Sequence, residues 1–327
     1  MKCYYDIGSR PTYLYNSKEF HMLLLQQMLA LFIFLLIGYY MRRKNILDAS
    51  GSRAISWLII NVASPCMVVS GALGNSDPLS MQMLTRTLIL CLLAYAALIL
   101  CSLFLPTLLG IPKDLHNIYQ VMTIFTNIGF MGFPLLRAMY GPGCLVYASI
   151  ATVIFNLLFY TYGLRTMQKG SGRKVPLQIT NVINPGTIAC AVAIALALWR
   201  PPVPTFVETT VENLGTLPAS LAMVVIGASL TEFRVEELFA DKRDLLFSLI
   251  KQLVIPTIII MVAKLFTGDP VLLGVLLIIV ATPIGSMVVM AAQQYNANYK
   301  LAAKNVALST ILSVITMPIV AMVTNLN

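Results

Sequence analysis

The chain has 327 residues, of which 58% are hydrophobic and only 11% charged, and its mean hydropathy is +0.82. Soluble domains carry about 25% charged residues, so this composition excludes a water-soluble protein and indicates an integral membrane protein. The net charge of +9 does not indicate a nucleic-acid-binding protein, because the lysines and arginines lie between apolar runs, where membrane topology places them.

The N-terminal segment differs in character from the rest of the chain. Residues 1–21 are polar and contain several tyrosines, and the apolar run after them is too long for a secretory signal. We therefore expect residues 1–21 to be an extension ahead of a natural start at Met22.

Ten apolar runs follow, each long enough to cross roughly 30 Å of hydrocarbon. The predicted spans are 22–41, 54–73, 82–105, 116–136, 143–167, 184–199, 210–230, 244–266, 270–294 and 301–323. The charged stretches 168–180 and 231–244 are predicted to be loops. If the N-terminus is outside, fifteen of the 22 lysines and arginines, Lys251 and Lys304 among them, belong to loops on the inner side. The positive-inside rule thus predicts a multi-pass protein of the cytoplasmic membrane with both termini outside.

Short sequence matches recur at one fixed spacing. MVVSGA at 67–72 is followed by MVVIGA at 223–228, and TNIG at 126–129 is followed by TPIG at 282–285, in both cases 156 residues later. Independent matches at one offset indicate two homologous halves. Because five spans per half is an odd number, the halves are predicted to cross the membrane in opposite directions. The predicted halves are residues 22–167 and 181–327.

The fourth and ninth predicted spans contain helix-breaking residues near their middle. Gly129, Gly132 and Pro134 interrupt the fourth span, and Pro283 and Gly285 interrupt the ninth. Broken backbone at membrane depth is tolerated only where it is buried in protein or lines a cavity. Paired interruptions at equivalent positions of two repeats therefore predict a substrate site.

Five segments together resemble the auxin efflux carrier family, including its bacterial malate- and malonate-permease-like members. They are FLLIGYYMRRKNILD (34–48), NVASPCMVVSGAL (61–73), TNIGFMGFPLL (126–136), LPASLAMVVIGASL (217–230) and LAAKNVALSTILSVITMPI (301–319). The resemblance implies an all-α membrane fold of ten helices, with a scaffold domain of spans 1, 2, 6 and 7. It also implies a transport domain of spans 3–5 and 8–10, in which the broken helices 4 and 9 cross. Members of the family are elevator-type carriers of organic anions.

The breaks and the span that faces them supply the candidate substrate-binding residues. Half-helix N-termini carry partial positive charge and suit a carboxylate, and Asn127 at the first break can donate to a substrate oxygen. Thr282 and Ser286 add hydroxyl donors, whereas Asn61 and Ser70 are expected to face the site from span 2. The complete candidate set is Asn127, Gly129, Pro134, Thr282, Pro283, Gly285, Ser286, Asn61 and Ser70.

The acidic residues all fall in tails, loops or the ends of predicted spans. This distribution argues against a carboxylate-based proton relay or sodium site and agrees with an anionic substrate such as malate or malonate. Amino-acid derivatives and auxin-like aromatic acids stay open as substrates beside these dicarboxylates. No cofactor, metal ion or nucleic acid is expected as a partner, and no motif indicates an enzyme. Besides the substrate and the lipid bilayer, a second copy of the chain that binds through the scaffold helices stays open as a partner. The alternatives are a sodium-coupled symporter similar to bile-acid carriers and a non-transporting membrane sensor.

Overall fold

The computed structural model describes residues 17–73, 81–141, 143–169, 183–295 and 297–326, and these residues form helices and turns without a β-strand. The helices are α1 (Ser17–Arg43), α2 (Ala49–Leu73), α3 (Met81–Leu108), α4 (His116–Ile124), α5 (the π turn Ile128–Gly132 followed by Phe133–Tyr140), α6 (Cys144–Lys169), α7 (Pro185–Trp199), α8 (Thr205–Leu230), α9 (Val235–Ala240), α10 (Lys242–Lys264), α11 (Pro270–Ala281), α12 (Ser286–Gln294) and α13 (Tyr299–Val323). Single π turns also interrupt α2, α6 and α10.

Seven of these helices are long and apolar enough to cross a membrane. They are α1, from Met22 onwards, and α2, α3, α6, α8, α10 and α13, while α7 and α11 are shorter apolar helices. Large apolar side chains remain exposed on the outer surface, among them Phe104, Trp199 and Phe206. Such a surface is stable against lipid but not against water. The chain is therefore a multi-pass membrane protein, as its composition predicts.

Several helix boundaries differ from the predicted spans. The first helix begins at Ser17, so it starts inside the segment that was expected to precede it. The second begins at Ala49 because the Asp48 side chain caps it by accepting a hydrogen bond from the Gly51 N–H at 2.6 Å.

The predicted loops require two corrections. The stretch 231–244 is not a continuous loop, since α9 forms within it and α10 begins at Lys242. The Glu237 side chain supports α9 by accepting a hydrogen bond from the N–H of Arg234. Residues 168 and 169 of the predicted loop 168–180 form the end of α6, and residues 170–180 fall outside the described residues.

The helices pack in two sets. In the first set, α1 packs along α8, and α2 packs against both α7 and α8. The glycines Gly38 and Gly227 allow the close approach of α1 and α8, because a Cβ atom at either position would overlap a carbonyl oxygen of the other helix. In the second set, α3 packs against α4 and α6, and α13 packs against α10 and α12.

Two short extended segments cross within the second set. Residues 125–127 separate α4 from α5, and residues 282–285 separate α11 from α12. The Asn127 N–H donates to the Pro283 carbonyl at 2.8 Å, and the Gly285 N–H donates to the Phe125 carbonyl at 3.0 Å. These bonds satisfy backbone groups that the helix breaks leave free.

The first break lies earlier in the chain than its glycines and proline predict. Residues Gly129, Gly132 and Pro134 all belong to α5, which begins after the break. Pro134 lies in the first turn of the regular α-helical part, where a missing N–H costs little. Pro283 and Gly285, in contrast, do lie in the second break. A Cβ atom at Gly285 would come within 2.9 Å of the Thr126 carbonyl, so glycine permits the two segments to cross.

Some boundaries of the helices recur at the offset of the sequence matches. Helices α2 and α8 begin at Ala49 and Thr205, which are 156 residues apart. Helices α3 and α10 end at Leu108 and Lys264, which are also 156 residues apart.

Candidate functional site

A cavity of about 250 Å³ lies at the crossing of the two breaks. Both sets of helices contribute to its wall, because α2 and the start of α7 face α6 and the crossing segments across it. The lining residues are Ile60, Ser64, Met67, Val68, Thr126, Asn127, Ile128, Gly129, Phe130, Phe133, Thr152, Phe155, Asn156, Tyr160, Asn184, Gly186, Gly285, Ser286, Met287 and Met290. Its volume is slightly below the range of about 300–1,000 Å³ that holds drug-sized ligands, so it suits a small metabolite.

Two polar side-chain atoms of the wall are buried and have no hydrogen-bond partner among the described residues. Asn127 is 4% exposed, and its Nδ2 has no hydrogen-bond acceptor in the described part of the chain. The Ser64 Oγ, on α2, likewise has no partner among the described residues. An unsatisfied buried polar group costs about 1–3 kcal/mol. The two side chains therefore mark a position at which a polar ligand would be stabilised.

The N-terminal turns of α5 and α12 add backbone donors to the same cavity. Ile128, Gly129 and Phe130 open α5, Ser286 and Met287 open α12, and all five line the cavity. The first N–H groups of a helix lack intrahelical acceptors and carry the positive end of its dipole. Because two helix N-termini meet there, the site has a positive potential without a basic side chain in its wall.

Most of the remaining wall is apolar or aromatic. Phe130, Phe133 and Phe155 contribute aromatic rings, and Met67 and Met290 contribute flexible thioethers. No charged side chain is present among the described residues that line the cavity. The site therefore combines a small cluster of donors with a large apolar surface, which suits a ligand with one polar end.

The structure brings four of the nine predicted site residues together in this cavity. They are Asn127, Gly129, Gly285 and Ser286. Thr282 and Pro283 lie in the second crossing segment but do not line the cavity. The Thr282 hydroxyl donates to the Ile278 carbonyl in its own helix, and the Pro283 carbonyl accepts the hydrogen bond from Asn127 described above.

The other three predicted residues lie away from this cavity. The Asn61 side chain donates to the Trp57 carbonyl of its own helix at 2.9 Å. Pro134 lines a second cavity of about 470 Å³ between α1, α2, α5 and α8. The Ser70 hydroxyl donates to the Met67 carbonyl and accepts from Arg137, whose side chain also lines the second cavity.

The second cavity is separated from the first by side chains of α2 and α5. Met67 lines both cavities, whereas Phe133 faces the smaller one and Pro134 the larger one. Arg137 crosses from α5 to α8 and pairs with Glu212 at 3.2 Å. Since these side chains are 20% and 60% exposed, the ion pair lies at the edge of the protein and contributes at most about 1 kcal/mol.

Sequence reasoning missed two features of the site. Ser64 was not among the predicted site residues, although it lines the cavity and Asn61 and Ser70 do not. Lys251 falls inside the predicted span 244–266 but was counted with the basic residues of the inner loops, and that loop assignment is wrong. The residue lies within α10 and is fully buried, with its Nζ donating to the Thr282 carbonyl at 2.6 Å.

A buried carboxylate lies near the start of α10. Asp244 lies close to the end of its span, as predicted from the sequence, and yet it is fully buried. Its oxygens accept hydrogen bonds from Tyr119, from Lys304 at 2.9 Å and from Asn305 at 3.1 Å. Lys304, also counted as a loop residue, therefore lies on α13 and serves as the counter-ion of this carboxylate.

The comparisons with known proteins agree with a role in transport. Residues 23–321 match a family model described as a membrane transport protein. Over 297 residues the chain is 22% identical to an uncharacterized transporter of Methanocaldococcus jannaschii, with 88% of this chain and 94% of that protein covered. It is 21% identical over 297 residues to an uncharacterized transporter of Methanothermobacter thermautotrophicus, with 90% and 96% covered. The chain therefore belongs to the membrane transport protein family, that of the auxin efflux carriers.

Proposed function

We propose that the protein is a secondary carrier of small organic anions, and that it binds a carboxylate at the crossing of its broken helices. The observation that carries this proposal is the buried, unpaired Asn127 amide beside the N-terminal turns of α5 and α12. An amide donor together with two positive helix ends is suited to a carboxylate. A bound carboxylate oxygen also removes the cost of leaving the amide unsatisfied.

The rest of the cavity favours an acid with one carboxylate and an apolar body. A second carboxylate, as in malate or malonate, would meet no basic side chain among the described lining residues. Burial of a charge without a partner is strongly unfavourable, whereas aromatic and thioether side chains gain from contact with an apolar ring. Of the substrate classes that the sequence leaves open, an aromatic monocarboxylate therefore fits the wall better than a dicarboxylate.

The packing supports an elevator mechanism. The set α1, α2, α7 and α8 would act as the scaffold, and the set that contains the two breaks would carry the substrate. A cavity lined by both sets is what such a movement needs, because sliding of one set changes the side to which the site opens.

The proposed membrane topology has ten spans in two inverted halves. The seven long helices, α7 and the two broken segments would form these spans, and the recurrence of helix boundaries at 156 residues supports the repeat. The excess of basic residues favours both termini outside the cytoplasmic membrane. It persists when Lys251 and Lys304 are set aside, since thirteen basic residues then remain on the inner side against seven on the outer.

Uptake into proteoliposomes tests the proposal. Labelled phenylacetate, malonate and malate would each be supplied with and without a pH gradient and with and without sodium, and protein-free liposomes would measure leakage. We expect saturable uptake, with phenylacetate preferred. Uptake that requires sodium favours the bile-acid-like symporter instead, and no uptake of any of the three acids overturns the anion carrier and favours the sensor.

A further inference from the structure

Lys251 is a buried cation, and neither the packing of the helices nor the lining of the cavity explains why a charged side chain is present at this position. It lies in the π turn Ile250–Val254 of α10 and is 0% exposed. Within the described part of the chain, its ammonium group has a single hydrogen-bond acceptor, the Thr282 carbonyl at 2.6 Å. An ionisable residue inside a membrane span is costly and is by default a functional candidate.

Among the described residues of the helices that pack around Lys251, no carboxylate is left to neutralise it. The π turn packs against α11 and α13. Helix α11 contains no charged residue, and α13 contains only Lys300, which is exposed, and Lys304. On α10 itself, the buried acidic residue is Asp244, which is already paired with Lys304 and also accepts a hydrogen bond from Tyr119. The positive charge of Lys251 is therefore uncompensated in the absence of a ligand.

The ammonium lies close behind the wall of the smaller cavity. Thr282, which accepts its hydrogen bond, is three residues before Gly285, and Gly285 and Ser286 line the cavity. Three residues span at most about 10 Å. The hydrogen bond to Thr282 and the contact beyond Gly285 add a few ångströms, so the two charges lie on the order of 10–15 Å apart. At that separation and an effective dielectric constant of about 20, the attraction between two unit charges changes a binding constant by roughly tenfold.

We propose that Lys251 is the counter-charge for the substrate carboxylate and acts on it across the crossing segment 282–285. This inference rests on the proposed function. The cavity wall supplies donors without a full charge, and the buried ammonium behind it supplies the charge. Lys251 is a positioning residue here, since it holds the second crossing segment and does not touch the substrate.

The charge match has a consequence for transport. Lys251 belongs to the set of helices that would move, so a carrier loaded with one monocarboxylate carries the lysine charge and the anion charge together. These two charges cancel during the loaded step. Substrate exchange, which uses only the loaded step, should then be insensitive to membrane potential.

The test measures exchange of labelled for unlabelled phenylacetate in proteoliposomes, with potentials of either sign imposed by potassium and valinomycin. The neutral variant Lys251→Met is compared with Lys251→Arg, which keeps the charge. The matched control is Lys264→Met, because Lys264 lies on the same helix and also donates to backbone carbonyls, those of Thr324 and Asn325. We expect wild-type protein, Lys251→Arg and Lys264→Met to exchange at rates independent of potential. Lys251→Met should show an apparent KM about tenfold higher and an exchange rate that changes severalfold with potential, because its loaded form carries a net charge.

A purely structural role for Lys251, as a neutral amine bonded to the Thr282 carbonyl, would not make exchange depend on potential, because replacement by methionine would then remove no charge. If Lys251→Met keeps the wild-type KM and exchanges independently of potential, the inference is overturned. Wild-type exchange that depends on potential also overturns it, and this arm needs no variant, so a misfolded variant leaves the inference testable. If the wild-type protein takes up malonate but not phenylacetate, its substrate carries two negative charges against the single positive charge of Lys251. This outcome contradicts the proposed pairing of Lys251 with one carboxylate. No uptake of any of the three acids overturns the proposed function itself.

Discussion

At the scale of single residues, Asn127 is the side chain on which the proposed site depends most. Replacement by leucine keeps its approximate volume and removes the amide donor. A hydrogen bond to a charged group contributes about 1.5–3 kcal/mol, so we expect the apparent KM for phenylacetate to rise about tenfold or more. Folding should be unaffected, because the Asn127 Nδ2 makes no hydrogen bond within the described protein.

The matched control for this variant is Asn61→Ala. Asn61 was a candidate of the same chemical type, but its amide bonds to the Trp57 carbonyl and does not line the cavity. Uptake kinetics close to those of the wild type are expected. A well-folded Asn127→Leu protein with unchanged KM, or an equal loss in Asn61→Ala, would remove Asn127 from the site.

Two glycines of the site have different physical roles, and alanine substitution separates them. A Cβ atom at Gly129 meets no atom within 4 Å, whereas one at Gly285 lies 2.9 Å from the Thr126 carbonyl. Gly129→Ala should fold normally and alter the relative rates for phenylacetate and bulkier aromatic acids, because the methyl group occupies cavity space. Gly285→Ala should unfold at a lower temperature, because the crossing segments must separate. Thermal unfolding in detergent together with uptake selectivity measures both effects, and equal thermal stability of the two variants contradicts this assignment.

At the scale of helices, the Thr126 hydroxyl of the first break forms a hydrogen bond to helix α11, which precedes the second break. The Thr126 Oγ1 donates to the Ile279 carbonyl of α11 at 2.8 Å, whereas the Thr282 Oγ1, at the equivalent repeat position, donates within its own helix. We expect Thr126→Val to lower the free energy of unfolding by about 1 kcal/mol, since it removes a bond between two helices. Thr282→Val should lower the free energy of unfolding by less, because the hydrogen bond that it removes joins Thr282 to the Ile278 carbonyl of its own helix and does not connect two helices. Denaturation of both variants in detergent tests the difference, and a larger loss in Thr282→Val would contradict it.

Helix existence was predictable from the sequence, whereas the position of one break was not. Apolar runs locate the helices because each must present lipid-compatible surface over its length. The first break falls at 125–127 because the hydrogen bonds to Pro283 and from Gly285 stabilise it there. Those partners are distant in sequence, so Gly129, Gly132 and Pro134 indicated a break in this span but not its position.

The candidate site was predictable in part for a similar reason. Asn127 and Ser286 adjoin the breaks and could be found from local patterns. Ser64 and Phe155 reach the cavity through packing between helices, which no local pattern encodes. Lys251 was missed because the sequence does not show which group would accept its hydrogen bond inside the predicted span, and only the position of Thr282 shows this.

At the scale of the whole molecule, the two proposed halves share some helix boundaries but differ in chemistry. The repeat offset of 156 residues relates Asn127 to Pro283 and Lys251 to Tyr95. An amide donor therefore serves only the first break and a buried ammonium only the second. The two proposed halves would therefore contribute different chemical groups to the anion site, so an inverted repeat does not imply a symmetric site.

The inverted arrangement itself can be tested at two repeat-equivalent exposed positions. Pro112 lies between α3 and α4, and Gly268 lies 156 residues later between α10 and α11. In a background without native cysteines, we expect Gly268→Cys to react with a membrane-impermeant maleimide in intact cells, and Pro112→Cys to react only in inverted vesicles. Labelling of both from the same side contradicts the inverted repeat. If Pro112→Cys reacts in intact cells and Gly268→Cys reacts only in inverted vesicles, the inverted repeat is preserved but the termini lie inside. The basic residues would then not determine the orientation of this chain.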